Sequence, residues 1–448
     1  MLGRDAIKVL CERVLQRAGD ESAEVSIVVT DKSLTRFANN SIHQNVAENN
    51  IAVTVRVFFG SCEGTASTNR LDQDGLDELV NRARMNAKNS PENPEFPGLA
   101  GPDSYEYVQA FDEITAEFSA KERAEAVRRV CQIANTEGFN AFGAFTTGVS
   151  ELALSNSKDL FAYNVSTGAD YQTVVMEADG PASSWAQTSG WRVEDIDVEY
   201  LGQEAVKKTE DGANPQMIEP GEYPVILEPY ATQDMLLMLN RVGMGANTLQ
   251  EGRSWMNNRI GKKVFSPTVN IRDDAFDPSG IPIPFDYEGT PKQRVDIVKD
   301  GVVIGPVYDR TTALKDGVKS TGHGMPPEFN IYSPMAANLF MAPGESSVNE
   351  MISNTEKGLY ITRFWYTRPV HPADCVITGM TRDGVFWIEN GRIKFPVKNL
   401  RFTQSYIEAL GKVEAISQET RLLTTMGFIT CSVPALKLAS FNFTGSTV

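Results

Sequence analysis

The sequence predicts an α+β protein, with a duplicated α/β region at its N-terminus and a β-rich, antiparallel domain at its C-terminus. Three observations carry that expectation. The first ~90 residues read as helix, strands, helix. A similar order of patterns begins again after a Pro- and Gly-rich stretch. From Asn214 onward strands dominate, and Asp-Gly or Asn-Gly pairs separate them.

The elements follow in order. Residues 6–17 place Ile7, Leu10, Val14 and Leu15 at helical spacing. Strand-like runs come next at 23–29, 34–44 and 51–59, and residues 73–87 return to helix. NSPENPEFPGLAGP (89–102) cannot hold regular structure and reads as a connection. Then a helix is expected at 121–135, with Cys131 placed like Cys11, followed by a strand at 141–147. "SELALSNS" (150–157) echoes "LTRFANNS" (34–41), 171–177 echoes 51–58, and the acidic helix 193–208 echoes 73–87. The recurrence has a period of roughly 115–120 residues, as an internal duplication would. The expected organisation is a first α/β unit over 1–95, a linker over 96–115, a second unit over 116–213 and a β-rich domain over 214–448. In that last part Asp300-Gly301, Asp383-Gly384 and Asn390-Gly391 are each expected as hairpin turns, because these residues tolerate positive φ. Helices are expected at 230–242, 347–356 and 404–413.

Bulk chemistry narrows the function. With 58 acidic against 42 basic residues the net charge is −16, a field that repels a phosphate backbone, so no nucleic-acid partner is expected. Cys11, Cys62, Cys131, Cys375 and Cys431 are odd in number, scattered and without a CxxC, the pattern of a reduced intracellular chain. The N-terminal residues are charged and amphipathic, and no apolar run approaches a membrane span. A cytoplasmic location with no membrane contact is expected.

Motifs for chemistry are sparse. His43, His323 and His371 lie far apart, and HExxH is absent, so no zinc site within this chain is expected. "GESSV" (344–348) is not a nucleophile elbow and reads as a turn before a serine-capped helix. "GMGAN" (243–247) lacks the third glycine or the lysine of a phosphate loop. "IRDDAFDPSG" (271–280) misses the alternation of a calcium loop and reads as a solvated turn. Cys11 and Cys131 read as core. His323, flanked by glycines in "STGHGM", is expected in an exposed loop as a candidate ligand contact.

Larger stretches carry a resemblance. They are "TRFANNSIHQNVAENNIAVTVRVFFG" (35–60), "LDELVNRARMNAK" (76–88), "GEYPVILEP" (221–229), "FDYEGTPKQRVDIVKDGVV" (285–303), "STGHG" (320–324), "MAPGESSVNEMISNTEKGLYI" (341–361) and "FWIENGRIKFPV" (386–397). In this order and spacing the chain resembles the TldD/PmbA (TldE) family. The resemblance implies a cytoplasmic peptidase built from two related subunits. Its TldD-type subunit carries HExxxH on a helix directly after a strand, and a cysteine near the C-terminus. In this sequence the strand 224–227 is followed by Glu228-Pro229-Tyr230-Ala231-Thr232-Gln233. Glu228 and Gln233 stand at the histidine positions, Pro229 at the general-base position and Cys431 at the cysteine position.

The resemblance therefore implies a TldE/PmbA-type subunit with no catalytic residue and no metal of its own, inactive alone. Its implied partner is a TldD-type subunit that holds the zinc. Together the two form a channel for unfolded or leader peptides. His323, Arg363, Phe364 and Tyr366, with Trp365, are the expected peptide contacts, an extended peptide adding to the sheet edge formed by GLYITRFWY (358–366). A well-packed strand is the competing explanation of that run. Two other readings stay open. One is a homodimer that binds peptides or a small ligand without hydrolysis. The other is a hydrolase using Glu228, His323 and Cys431.

Overall fold

The computed structural model describes residues 1–326, 329 and 333–446. The chain begins with α1 (Arg4–Ala18), β1 (Ser22–Ala38), β2 (Ser41–Phe59), β3 (Cys62–Thr68) and α2 (Gln73–Asn89). After an irregular stretch come α3 (Glu113–Glu117), α4 (Ala120–Thr136), β4 (Phe139–Asn156), β5 (Phe161–Glu177), β6 (Ser183–Gly190) and α5 (Val198–Asp211). The strands of these residues form one sheet in the order β3-β2-β1-β4-β5-β6. β1 and β4 pair antiparallel along their length, so each helix–three-strand–helix unit supplies half of a continuous sheet. The long helices lie on one face. Ile7, Val14, Leu76 and Leu79 cover Val25, Ile27 and Val55, while Val127, Val130, Leu201 and Ala205 cover Ala141, Phe145 and Tyr171.

Local sequence sets the ends of these elements. Asn39-Asn40, at φ 49° and 58°, turns β1 into β2, so the expected strand at 34–44 is the hairpin itself. Ser119 and Glu122 close a capping box on α4, and Asp72 caps α2. The acidic helix expected at 193–208 divides into a 3₁₀ turn, Val193–Asp195, and α5, which Asp197 caps.

The second region continues with β7 (Gly221–Leu227), α6 (Pro229–Gly243), α7 (Ala246–Gln250), β8 (Ile271–Asp273), β9 (Val295–Lys299), β10 (Val302–Val303), α8 (Arg310–Asp316) and β11 (Asn338–Met341). It ends with α9 (Val348–Ser353), β12 (Lys357–His371), β13 (Val376–Glu389), β14 (Arg392–Pro396), β15 (Leu400–Ser405), α10 (Tyr406–Gly411), β16 (Val413–Thr425) and β17 (Ile429–Ser446). Most pairs are antiparallel, but β7 runs parallel to β12 and β11 parallel to β17. β7 also pairs with β17, so the pairings close a ring, β7-β12-β13-β15-β17-β7. A ring of this kind has no free edge along its closed part. Phe364, Phe402, Tyr406 and Phe441 pack against one another in its core. Among the described residues no helix is long and apolar enough to cross a membrane.

Three local expectations are corrected. Asp383-Gly384 is not a turn. β13 runs through it, and its φ values of 57° and 123° bend the strand where a Cβ on Gly384 would meet Thr362 Oγ1 at 2.6 Å. Asp300-Gly301 and Asn390-Gly391 do turn the hairpins β9–β10 and β13–β14. Second, "IRDDAFDPSG" is not a solvated turn. Asp273 and Asp274 are fully buried, the first against His323 and the second against Arg272 and Arg294. Third, His323 is not in an exposed loop. Gly322, at φ 73°, packs so closely on Pro291 and Lys292 that the loop folds inward and buries the imidazole.

Candidate functional site

The junction between β7 and α6 is built by short-range rules. Val225, Ile226 and Leu227 are fully buried, and Leu227 pairs with both Ile361 and Leu436. Pro229 occupies the first helical position, where its missing N–H costs nothing, and Glu228 stands at the N-cap. The Glu228 N–H donates to the Ile361 carbonyl at 2.9 Å, fixing the corner. Its side chain makes no cap bond.

That carboxylate instead enters a closed ionic cluster. Lys208 Nζ, from α5 of the first region, lies 2.6 Å from Glu228 Oε2 and 2.7 Å from Glu204 Oε1. Arg421 donates to Glu204 Oε2 at 2.9 Å and to the Tyr230 hydroxyl. Thr362 Oγ1 reaches Glu228 Oε1 at 3.3 Å, and both cations lie over the Tyr230 ring. The Gln187 N–H donates to the Tyr230 hydroxyl at 3.0 Å, adding β6 to the same knot. Two carboxylates meet two cations, so the cluster is neutral. The Glu228 side chain is 5% exposed and that of Lys208 13%. Burial works against ionisation of Glu204, but Lys208 and Arg421 outweigh it and bring its pKa down to about 2. Burial likewise opposes the charge on Lys208, and Glu228 and Glu204 more than offset it, so the ammonium stays protonated.

This donor set does not fit a catalytic metal. Zinc needs three or four deprotonated nitrogen, sulfur or oxygen ligands converging on one point. At Glu228 an ammonium already sits at contact distance, and no imidazole or thiol is near it in the cluster. Gln233 is half-buried on α6. Cys431 is fully buried on β17 between Leu339 and Leu423, five positions from the partner of Leu227, or roughly 16 Å of extended strand. Burial holds its thiol far above the reactive range. Among the described residues no group of three or more His, Cys, Asp and Glu is arranged to hold a metal ion.

Next to the cluster on α6, Asp234 accepts hydrogen bonds from Thr367 Oγ1 at 2.7 Å and the Tyr406 hydroxyl at 2.9 Å. Burial pushes its pKa up to about 6, against those two hydrogen bonds.

The expected peptide contacts have different surroundings. His323 Nε2 lies 2.9 Å from Asp273 Oδ1, and its Nδ1 2.9 Å from Thr321 Oγ1. Burial and then Lys292 lower the His323 pKa, while burial of Asp273 is outweighed by His323 and Lys292, so its carboxylate stays ionised. His323 borders a cleft of about 440 Å³ between the helix-free face of the first sheet (Ser26, Val28, Thr30) and Ile283, Met335 and Phe428. Phe364 belongs to the aromatic core at 5% exposure, closed to a ligand. Arg363 is half-buried, bound to Asp383 and stacked on Trp185 at 4.1 Å. Tyr366 is exposed. Lys208, Glu204 and Arg421 were invisible to sequence reasoning, because they arrive from distant helices and strands with no motif around them.

The profile described as the PmbA/TldA metallopeptidase C-terminal domain matches residues 220–445, and that described as PmbA/TldA metallopeptidase domain 1 matches residues 23–87. The chain is 22% identical over 437 residues to the metalloprotease TldD homolog of Buchnera aphidicola, covering 91% of this chain and 89% of that one. It is 22% identical over 403 residues to metalloprotease PmbA of Escherichia coli O157:H7, covering 87% and 85%. A zinc metalloprotease TldD homolog of Saccharolobus solfataricus is 29% identical over 216 residues, covering 44% of each chain. Among solved structures, TldE from Thermococcus kodakarensis superposes with a TM-score of 0.88 at 19% identity, covering 98% of this chain and 100% of that one.

Proposed function

The chain belongs to the PmbA/TldA metallopeptidase family, and from that premise we propose that it is a metal-free, non-catalytic subunit of a two-subunit peptidase. One observation carries the reading. At the strand-to-helix corner, Lys208 fills the space between Glu228 and Glu204 and closes a neutral buried cluster with Arg421. In this reading, a cation fixed to the chain stands where a catalytic relative would need an exchangeable one. Zinc, part of the name of the Saccharolobus relative, belongs in this reading to a TldD-type partner carrying HExxxH. That metal would supply activated water for peptide hydrolysis.

This chain's own residues act differently. The cluster ties α5 and β6 to α6, β12 and β16, so the two regions hold one relative position. The chain then contributes a rigid wall to a channel for unfolded peptides, with Arg363 and Tyr366 at its opening. The cytoplasm is its proposed location.

The test is cleavage of an unfolded peptide by the purified chain, by a TldD-type chain from the same organism, and by their mixture. Cleavage that requires the partner and is raised by this chain supports the proposal. Metal-dependent cleavage by this chain alone contradicts it. A mixture that neither associates nor cleaves favours a peptide-binding homodimer.

A further inference from the structure

The second half of β12 departs from the rest of the ring. β7 pairs with β12 only from Leu359 to Ile361, and beyond that point, after the buried Phe364, the side chains of Trp365, Tyr366 and Val370 face outward. Trp365 is 41% exposed, Tyr366 68% and Val370 59%. The pairing with β13 shifts register between Trp365 and Arg368, and Tyr366 sits in that bulge at φ 56°. A left-handed backbone is unfavourable for a bulky aromatic residue, and strain of this kind concentrates where a side chain is aimed for use.

The aromatic rings alternate with guanidinium groups. Arg363 lies 4.1 Å from the Trp185 ring centre and 5.0 Å from that of Trp365. Arg382 lies 4.6 Å from Trp365, and Arg368 lies 4.5 Å from Tyr366. The register places Arg401 opposite Met380, itself the partner of Trp365, so Arg401 extends the same face. Asp383 neutralises Arg363, and Arg382 lies 3.8 Å from it. Arg368, Arg382 and Arg401 are exposed. This is a cationic face on a chain whose net charge is −16.

Stacked arginines serve a defined purpose. The ring holds the guanidinium plane in place and leaves its N–H edge free, and that edge matches a carboxylate in a two-pronged fit. Trp, Tyr and Arg also supply most of the strong contacts in polypeptide recognition. The face starts one residue from the closed corner, since Thr362 bonds to Glu228 and Arg363 follows it. We propose that this Trp–Arg face binds acidic segments of unfolded peptides, an inference that rests on the channel-subunit reading and names the class of peptide it takes. The rings take up the apolar parts of the segment, and Arg368, Arg382 and Arg401 take its carboxylates.

The experiment uses the full chain and three unstructured peptides of equal length, acidic, neutral and basic, without tryptophan. Binding is followed by intrinsic tryptophan fluorescence and by calorimetry. The acidic peptide is expected to bind roughly tenfold or more tightly than the neutral one, and Trp365→Ala to lose about tenfold. Arg368→Glu/Arg382→Glu is expected to abolish the preference, and salt rising from about 0.05 to 0.3 M to weaken it. Circular dichroism confirms the fold of each variant. Equal binding of all three peptides, unaffected by the substitutions, overturns the proposal while leaving the channel-subunit reading intact. No binding by the chain, with self-association that Arg368→Glu/Arg382→Glu removes, also overturns it and assigns the face to a second copy. Failure of the channel-subunit reading itself shows in a different place, as cleavage by the chain without a partner.

Discussion

Replacing Lys208 by methionine keeps the buried aliphatic stem and removes the charge. Glu228 then loses its only cation within 3 Å among the contacts of the cluster, and Glu204 keeps only Arg421. Both carboxylates are largely shielded, with side-chain exposures of 5% and 14%. Removing one partner of a buried ion pair costs about 3–5 kcal/mol, because the remaining charge stays desolvated. For cooperative units of this size each kcal/mol lowers Tm by about 2–4 °C, so the variant should melt roughly 6–20 °C below the wild type. Thermal unfolding by circular dichroism and urea titration both measure it. The double variant Lys208→Met/Glu228→Gln should regain about half of the loss, since the orphaned charge is gone. The pH dependence has a defined sign. Glu204 has a folded pKa of about 2, below its ordinary 4.5, so its contribution is present above 4.5 and disappears as the pH falls toward 2. Lys208→Met should flatten that acid-side loss. A cost below about 1 kcal/mol, or an unchanged acid limb, would refute the idea that this cluster is a closed, buried ion network.

Asp234→Asn should leave stability unchanged near pH 4 and raise it near pH 8. The folded pKa of about 6 lies above the ordinary 3.8, so the wild type loses stability as the pH rises through 6. The gain at pH 8 is at most about 3 kcal/mol, read as the difference between two urea curves. His323→Ala leaves the Asp273 carboxylate buried without the imidazole beside it and should cost about 1–3 kcal/mol, part of which returns in the double variant with Asp273→Asn. A colourimetric thiol reagent should modify Cys62 first in the native chain, because the other four cysteines are buried and react only after denaturation. Cys431→Ala should lower Tm through lost packing yet leave partner-dependent cleavage unchanged, since its thiol lies in the core away from the corner.

What the sequence made legible is what local chemistry decides. Helical spacing located α1, α2, α4 and α6, and the Pro229 start of α6 follows from backbone rules alone. Asn390-Gly391 turned a hairpin where expected, while Asp383-Gly384 did not. The same positive φ serves a turn or a bulge, and the choice depends on Thr362 across the strand pair, which the dipeptide does not encode. The burial of Asp273 and His323 depends on two loops folding against each other, fifty residues apart in sequence. That positions 228 and 233 hold Glu and Gln was readable directly. The ion pairs that enclose Glu228 were not. Lys208 comes from α5, in the other region, and Arg421 from β16. Nothing in an acidic helix marks one lysine as the partner of a carboxylate at a distant strand-to-helix corner.

Zinc content measures the central claim most directly. The chain alone, a TldD-type partner alone and their purified complex are analysed for metal under the same conditions. No stoichiometric zinc is expected in this chain, and one zinc for each pair of chains is expected in the complex, carried by the partner. Stoichiometric zinc bound by this chain alone, or two zinc ions per pair, would contradict that claim.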